Sequence, residues 1–295
     1  MAGHPPTRPI RRLLRLFLVV TGLGASCLAS AQVASWEIEF PAAANGHACK
    51  SIAVPLEDGS GLVAVLLPGA QAVQPVAHRG GDPVTVEVIG QDPVSRLCFL
   101  KSPALSERIA WAKTVPSALG TALHAPGPLR ARANGWVKQI GTKVLPFALL
   151  RVGFEGPVPP TGTPLSGEDG RVVALVFQPA TGNTAYAIPV DAVNRVRPDL
   201  MRQGKLVRGW LGLSLRAESP TPQVTRLSAD SPALQAGIRA NDVLLQVGTR
   251  PVADYADAAD AFFYLVPGEA VRLKLLRGAD QLDFTVNPVV TPAGK

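Results

Sequence analysis

Side chains that could perform nucleophilic, acid–base or metal chemistry are sparse in this sequence. After the first 31 residues the histidines are His47, His78 and His124, each isolated from the others. Metal sites need several ligands at short spacings, so we predict no metal site and no cofactor. A serine nucleophile needs an imidazole base beside it and a carboxylate that orients the imidazole. Ser166 and Asp92 could in principle join a histidine in such a site, although each is equally typical of a turn or loop.

The N-terminal segment has the pattern of a secretory signal peptide. Four arginines precede a short apolar run at 16–23, and the small residues at 29–31 fit a cleavage site after Ala31. The predicted location is therefore periplasmic or secreted. An uncleaved membrane anchor is the alternative, but the run is shorter than the roughly 20 residues that a span needs. Lipidation at Cys27 is a further alternative, although position 24 holds Gly where a lipobox usually has Leu.

The net charge and the two cysteines bear on which partners and which compartment the protein can have. The formal net charge of +7 falls to +3 without residues 1–31, which carry four arginines and no acid. No basic stripe interleaved with aromatic residues remains, so we predict no nucleic-acid partner. Cys49 and Cys98 follow the signal segment, and in an oxidising compartment they could form one disulfide or stay as buried thiols. The sequence leaves both states open.

The chain up to about residue 190 reads as short β-strands between Gly and Pro turns. Apolar runs at 61–67, 84–89, 97–100 and 172–177 are examples. Repeated short strands with turn residues indicate an all-β sandwich or barrel. A helix with a break at Pro198 is predicted over 190–206, and the polar stretch 202–205 marks a domain boundary.

The C-terminal region has the rhythm of a small α+β domain. Strands are predicted at 211–216, 223–227, 243–247, 270–276 and 282–286. Ser231 is predicted to cap a short helix that has Pro232 at its first position, and a second helix covers about 255–265. The predicted domains are the signal peptide at 1–31, a β domain at 32–200 and this domain at 207–290.

Particular stretches resemble one family. Residues 208–213 (RGWLGL) and 231–252 (SPALQAGIRANDVLLQVGTRPV) resemble a bacterial PDZ domain. Residues 187–213 are similar to the junction between protease and PDZ domain in the HtrA/Deg family of exported serine proteases. Residues 90–97 resemble the segment that carries the catalytic Asp, and 161–165 with 170–173 resemble the nucleophile loop and its following strand. The resemblance implies a mainly β fold, a chymotrypsin-like double β-barrel followed by a small α+β PDZ domain.

The positions matched to the catalytic residues carry other residue types. The segment that should end in the catalytic His holds Leu66, the Asp position holds Arg96, and the Ser position holds Thr161. The Gly whose N–H would stabilise the oxyanion is replaced by Pro159, and proline has no N–H to donate. The resemblance therefore implies a degenerate protease domain with no catalytic residues.

The matched PDZ positions keep the residue types of a peptide-binding site. PDZ domains capture a peptide C-terminus with backbone N–H groups and add the peptide as a strand to a sheet edge. The resemblance places the carboxylate loop at Trp210, Leu211, Gly212 and Leu213, with Arg208 nearby. It assigns the groove to Leu213 and Leu215 on the strand and to Ala259 and Phe262 on the helix, beside Ala258.

These observations predict an exported HtrA-like pseudoprotease, a non-catalytic scaffold or regulator that binds peptide or protein C-termini. The alternative is an active trypsin-like endopeptidase with a displaced or non-standard triad, and a third possibility is a structural envelope protein with an unused groove. Further partners considered are an active envelope protease and a second copy of the chain. Membrane contact is expected only through an uncleaved signal segment.

Overall fold

A computed structural model describes residues 35–41, 48–116, 118–217 and 220–292. The predicted signal peptide, its cleavage site, Cys27 and His47 lie outside these residues. Within them, no helix is long and apolar enough to cross a membrane.

The first part of the chain forms a seven-stranded antiparallel sheet in the order β5-β4-β1-β2-β3-β7-β6. Side chains of β1 alternate between the interior and the surface, as a half-buried strand requires. The strands are β1 (Trp36–Phe40), β2 (Cys49–Pro55), β3 (Leu62–Val65), β4 (Val76–Arg79), β5 (Asp82–Val84), β6 (Glu87–Asp92) and β7 (Leu97–Lys101).

One strand prediction in this sheet is wrong. The single strand predicted over 84–89 is the end of β5 and the start of β6, with Thr85 and Val86 between them. The carbonyl of Thr85 accepts a hydrogen bond from the Ser102 hydroxyl at 2.7 Å. This side-chain contact takes the place of a ladder hydrogen bond, and the strand is interrupted there.

The second part is a closed six-stranded barrel in the order β10-β13-β12-β11-β8-β9. Val172 to Val176 are all buried because they face the barrel interior or the layer between the two sheets. The strands are β8 (Ala122–His124), β9 (Arg130–Ile140), β10 (Lys143–Phe154), β11 (Pro164–Ser166), β12 (Val172–Pro179) and β13 (Thr184–Pro189).

Helix α1 (Val190–Gln203) follows the barrel and runs without the predicted break at Pro198. An internal proline removes one helical hydrogen bond and costs about 3 kcal/mol. Val193, Val196 and Leu200 are buried in the same core as the barrel strands, and this packing outweighs the cost. The prediction from Pro198 considered only local conformation.

The C-terminal part is the predicted α+β arrangement. Ser231 caps α2, its hydroxyl accepting from the Leu234 N–H with Pro232 at the first position. The elements are β14 (Gly209–Trp210), β15 (Leu213–Leu215), β16 (Val224–Leu227), α2 (Pro232–Gln235), β17 (Val243–Val247), β18 (Arg250–Pro251), α3 (Tyr255–Phe263), β19 (Val271–Arg277), β20 (Asp280–Val286) and β21 (Val289–Val290).

Two features of this part differ from the expectation. The strand predicted at 211–216 is shortened to β15, because the chain turns at Gly212 with φ +77°, and the short β14 precedes this turn. Strand β21 is not predicted by the sequence, and it pairs antiparallel with β14. Such a two-residue strand has too little pattern to recognise without its distant partner.

Helix α3 packs against the barrel through a buried polar contact and an aromatic pair. The Asp260 carboxylate accepts from the Ala148 N–H of β10 at 2.7 Å and from Arg250 at 3.0 Å. The Phe147 and Phe263 rings have centroids 4.6 Å apart. The C-terminal part is thereby fixed to the outer side of β10.

The chain between the two parts is held by a buried arginine. Arg195 of α1 donates to the carbonyls of Val207 and Leu265 at 2.8 and 2.7 Å, and it pairs with Asp199 at 3.0 Å. This places β14 and the loop after it at a defined position beside α1.

Candidate functional site

The positions assigned to the catalytic His and Asp are neighbours in the structure. The Leu66 N–H donates to the carbonyl of Arg96 at 2.8 Å. Leu66 is buried, and Arg96 lies in the β6–β7 turn with φ +62°. An isobutyl group cannot accept a proton, and a guanidinium stays charged at all ordinary pH values. These two positions supply neither a base nor a group that orients one.

The loop assigned to the nucleophile is closed by its own hydrogen bonds. The Thr161 hydroxyl donates to the carbonyl of Phe177 at 2.9 Å, and the Thr161 carbonyl accepts from the Ile52 N–H at 2.7 Å. The Gly162 N–H donates to Val176 at 2.7 Å. Gly162 has φ +83°, and a Cβ there would lie 1.9 Å from the carbonyl oxygen of Ile52. The loop is therefore wedged against β2 of the first sheet.

Two prolines precede Thr161 and contribute no N–H group. The Pro160 carbonyl accepts from both the N–H and the hydroxyl of Thr163, at 3.2 and 2.7 Å. An oxyanion hole needs preorganised donors aimed at the developing charge. At Pro159 no such donor exists.

The structure brings together only part of a rearranged catalytic set. Ser166 of β11 and His124 of β8 are directly opposite each other in the sheet, but no hydrogen bond joins their side chains. Asp92 is buried, caps the turn by accepting from the Ser95 N–H at 2.7 Å, and lies 3.4 Å from Arg208. His78 lies on β4 of the other sheet.

The loop assigned to carboxylate binding contrasts with the nucleophile loop. Its carbonyls are used: Leu211 accepts from the Ala233 N–H at 3.0 Å and Gly212 from the Ser228 N–H at 2.8 Å. The N–H groups of Leu211 and Gly212 donate to no acceptor within the described residues. A Cβ on Gly212 would lie 2.2 Å from the Ser231 Cβ, so the loop requires glycine.

The residues assigned to the groove occupy β15 and α3, and within the described part of the chain they do not line a common cavity. Leu213 lines one cavity with β16, whereas Ala259 and Phe262 line another that faces Pro146 of β10. Leu213 and Leu215 are partly exposed, and β15 pairs with β16 along one edge. On α3, Ala259 is partly exposed, whereas Ala258 is fully buried in the PDZ core. Phe262 packs partly against that core, and Phe263 belongs to the barrel core. Trp210 lies in β14, at the start of the loop.

Arg208 does not stand free beside this loop. Its guanidinium lies 3.4 Å from the Asp92 carboxylate, across to the β6–β7 turn. The positive charge of Arg208, which the sequence assigns to the loop, is thus paired with the buried Asp92 carboxylate. The sequence reasoning also missed Asp260, whose barrel contact joins residues 112 positions apart and has no local pattern.

The two cysteines are not joined by a disulfide. The strand register places Cys98 level with Ala53, two strands away on the strand that carries Cys49. Two strand spacings of about 4.8 Å already exceed the roughly 7 Å limit for a disulfide. Burial raises the pKa of Cys98 to about 12, so its thiol stays protonated. The described residues contain no group of side chains that could hold a metal ion.

Comparison with known proteins identifies the C-terminal domain and the fold. A family profile for the PDZ domain matches residues 209–287. The HtrA-type protease AlgW with a bound tripeptide has the same fold, with a TM-score of 0.64 at 16% identity, covering 89% of this chain and 95% of that one. The chain thus carries a PDZ domain and has the fold of an HtrA-type protease. The serine endoprotease of Yersinia pestis is another structure with a similar fold, with a TM-score of 0.57 at 17% identity, covering 88% of this chain and 95% of that one.

Curated relatives of this chain carry protease names. A probable periplasmic serine endoprotease DegP-like of Brucella suis is 30% identical over 147 residues, which cover 44% of this chain and 29% of the relative. The serine endoprotease DegS of Escherichia coli is 27% identical over 120 residues, covering 37% of this chain and 34% of DegS. The match thus spans about a third of the length of these relatives.

Proposed function

We propose that this HtrA-type chain is a pseudoprotease that binds peptide or protein C-termini through its PDZ domain. The observation that carries the proposal is the pair of unoccupied N–H groups at Leu211 and Gly212. They lie in a loop opened by a glycine at positive φ, directly before β15. A peptide carboxylate accepts such hydrogen bonds well, because charge-assisted bonds are stronger than neutral ones.

The groove beside this loop favours a hydrophobic C-terminal residue. Leu213 and Leu215 lie on β15, and Ala259 and Phe262 lie on α3. A peptide that adds as a strand to β15 places alternate side chains toward the helix. The small Ala259 leaves room for Val, Leu or Phe, and we expect micromolar affinity.

The protease-like part acts without catalysis in this proposal. Leu66 and Arg96 replace the base and its partner, and the Thr161 hydroxyl is committed to the Phe177 carbonyl. Losing one oxyanion donor alone typically lowers the rate by about 10²–10³. The barrel then serves as a scaffold that presents the PDZ domain, or regulates an active envelope protease by pairing with it or occupying its substrate.

The proposed location is the periplasm. The sequence predicts export with cleavage after Ala31, and the similar proteins of Brucella suis and Halomonas elongata are named periplasmic endoproteases. Envelope proteins with exposed hydrophobic C-termini are the expected partners. A second copy of the chain is a further partner for this proposal.

The decisive experiment measures peptide binding to the whole protein by fluorescence anisotropy. Peptides ending in Val, Leu or Phe with a free carboxylate are compared with the same peptides carrying a C-terminal amide. We expect amidation to weaken binding by at least about tenfold, the loss of one charge-assisted contact. Equal affinity of the two forms would show that the N–H groups of the loop do not hold a carboxylate.

A displaced endopeptidase site is the second candidate, favoured by one observation. Ser166 and His124 face each other across β11 and β8, the juxtaposition that a nucleophile and base require. A serine-directed fluorophosphonate probe tests this candidate. Labelling that Ser166→Ala abolishes and Thr161→Ala preserves would establish it, and absence of labelling in all three proteins supports the pseudoprotease.

A further inference from the structure

A second cavity, separate from the carboxylate loop, lies where the barrel, the β6–β7 turn and α3 meet. Its volume is about 630 Å³, within the range that proteins use for small ligands. The turn contributes Ser95 and Arg96, the β9–β10 hairpin contributes Lys143, and α3 contributes Tyr255 and Ala259.

The charged groups that line this cavity are cations only. Arg96 and Lys143 line it, and no Asp or Glu does. Neither cation makes a side-chain hydrogen bond or ion pair with the part of the chain that the structure describes. Arginine and lysine without acidic partners attract an anion. A ligand of this cavity therefore carries negative charge.

A buried hydroxyl without a partner lies next to Arg96. Ser95 is completely buried, and its Oγ has no hydrogen-bond partner among the described residues. Such groups are nearly always satisfied in native proteins. Ser95 lines the cavity, and rotation of its side chain toward the cavity would let a bound acceptor satisfy the hydroxyl.

The rest of the wall is largely apolar. Aliphatic and aromatic side chains from the hairpin, the β6–β7 turn and the barrel strands form it, among them Val94, Ile140, Val144, Leu145, Phe177 and Ile188. A polypeptide here would place its amide groups against these side chains, and an unpaired buried amide is costly. A hydrocarbon chain has no such groups, so its transfer from water is favourable.

We propose that this cavity binds a long-chain alkanoate, an unbranched hydrocarbon chain ending in one carboxylate. Arg96 pairs with the carboxylate, the Ser95 hydroxyl donates to it, and Lys143 adds positive potential. The hydrocarbon chain lies against the apolar wall. The site goes beyond the proposed C-terminus binding, since it lies outside the carboxylate loop and shares only Ala259 with the residues assigned to the groove. It gives Arg96, at the position matched to the catalytic Asp, a binding role.

The test is calorimetric titration of the whole protein with hexanoate, dodecanoate and hexadecanoate below their micelle concentrations. We expect dodecanoate to bind more tightly than hexanoate, and methyl dodecanoate, which has no charge, to bind about tenfold or more weakly than dodecanoate. Arg96→Gln should weaken dodecanoate by about tenfold and leave methyl dodecanoate unchanged. Arg130→Gln, which removes an exposed arginine outside the cavity, should have no effect.

A cavity-filling variant provides an independent measurement. Val144→Trp should weaken both dodecanoate and its methyl ester, since it removes volume rather than charge. The proposal is overturned if dodecanoate fails to bind, if the ester binds equally well, or if neither Arg96→Gln nor Val144→Trp changes the affinity. Displacement of dodecanoate by an uncharged peptide of Val and Leu, blocked at both ends, would identify a polypeptide ligand and also overturn it.

Discussion

The nucleophile loop at 159–163 and the carboxylate loop at 210–213 turn on glycines with nearly the same backbone angle, φ +83° at Gly162 and +77° at Gly212. In both, a Cβ would collide with a neighbouring segment. The first loop has two prolines, its Gly162 and Thr163 N–H groups donate to carbonyls of the protein, and only its Thr161 N–H has no acceptor among the described residues. The second leaves two N–H groups unoccupied. The capacity to receive an anion therefore depends on N–H groups left unpaired, which a turn of similar shape need not provide.

The largest expected effect comes from giving the nucleophile loop its missing donor. In a protein carrying Leu66→His, Arg96→Asp and Thr161→Ser, adding Pro159→Gly should raise hydrolysis of an activated ester by about 10²–10³ over the triple variant. The reason is the single N–H that glycine adds. Equal rates with and without Pro159→Gly would show that position 159 does not face the reacting oxygen.

The carboxylate loop can be closed by one methyl group. Gly212→Ala places a Cβ against Ser231 at positive φ, so the loop must shift, and binding of a C-terminal peptide should fall by more than about tenfold. Gly278→Ala is the matched control, because Gly278 also has positive φ (+64°) but open space around it. Peptide titrations should separate the two variants, and equal losses would point to general strain.

The barrel and the C-terminal part, which carry the two loops, are connected through α3, and Asp260 is part of this connection. Asp260→Ala removes the acceptor of the Ala148 N–H and the partner of Arg250, and should lower the free energy of unfolding by about 3 kcal/mol. Asp280→Asn, at an exposed carboxylate, should change it by less than about 0.5 kcal/mol. Urea denaturation measures both. A small effect at Asp260 would mean that α3 holds the barrel by apolar packing alone.

Lowering the pH should reduce the stability of the PDZ domain and leave the hydrogen bonds of the nucleophile loop intact. Burial alone would raise the pKa of Asp242, but hydrogen bonds from Arg277 and the Arg239 N–H hold it below its usual value. A lowered native pKa stabilises the fold above the unfolded value of about 3.9, and this is lost as pH falls through the native pKa.

Denaturation over a pH series tests this expectation. Asp242→Asn should cost about 1–2 kcal/mol at neutral pH, and its difference from wild type should shrink below about pH 4. A pH-independent difference would assign the effect to packing.

The sequence predicts best where the determinants are local. Strand β17 has the predicted bounds, and Ser231 with Pro232 starts α2 as expected, because a strand run and a helix cap depend on adjacent residues. The break at Pro198 was wrong because burial of Val193, Val196 and Leu200 outweighs a local preference. The closeness of Leu66 and Arg96 in the structure is expected from the family resemblance, which matches them to two catalytic positions.

Contacts between distant segments were beyond sequence reasoning. The pairing of β21 with β14, the hydrogen bond from Ala148 to Asp260 and the cavity beside Ser95 each join elements far apart in the chain. Burial and hydrogen-bond satisfaction in such places depend on how whole domains pack, and no periodicity in a single segment encodes them. The unpaired N–H groups at Leu211 and Gly212 belong to the same class.

The hydrogen bond from the Ile52 N–H to the Thr161 carbonyl has a consequence for how this protein tolerates change. An enzyme keeps its nucleophile without a full set of hydrogen bonds, and this lowers the stability of the fold. Here the same loop joins the first sheet to the barrel, so its hydrogen bonds strengthen the fold. Variants that break this hydrogen bond should melt at lower temperatures, so stability would oppose changes that prepare the loop for catalysis.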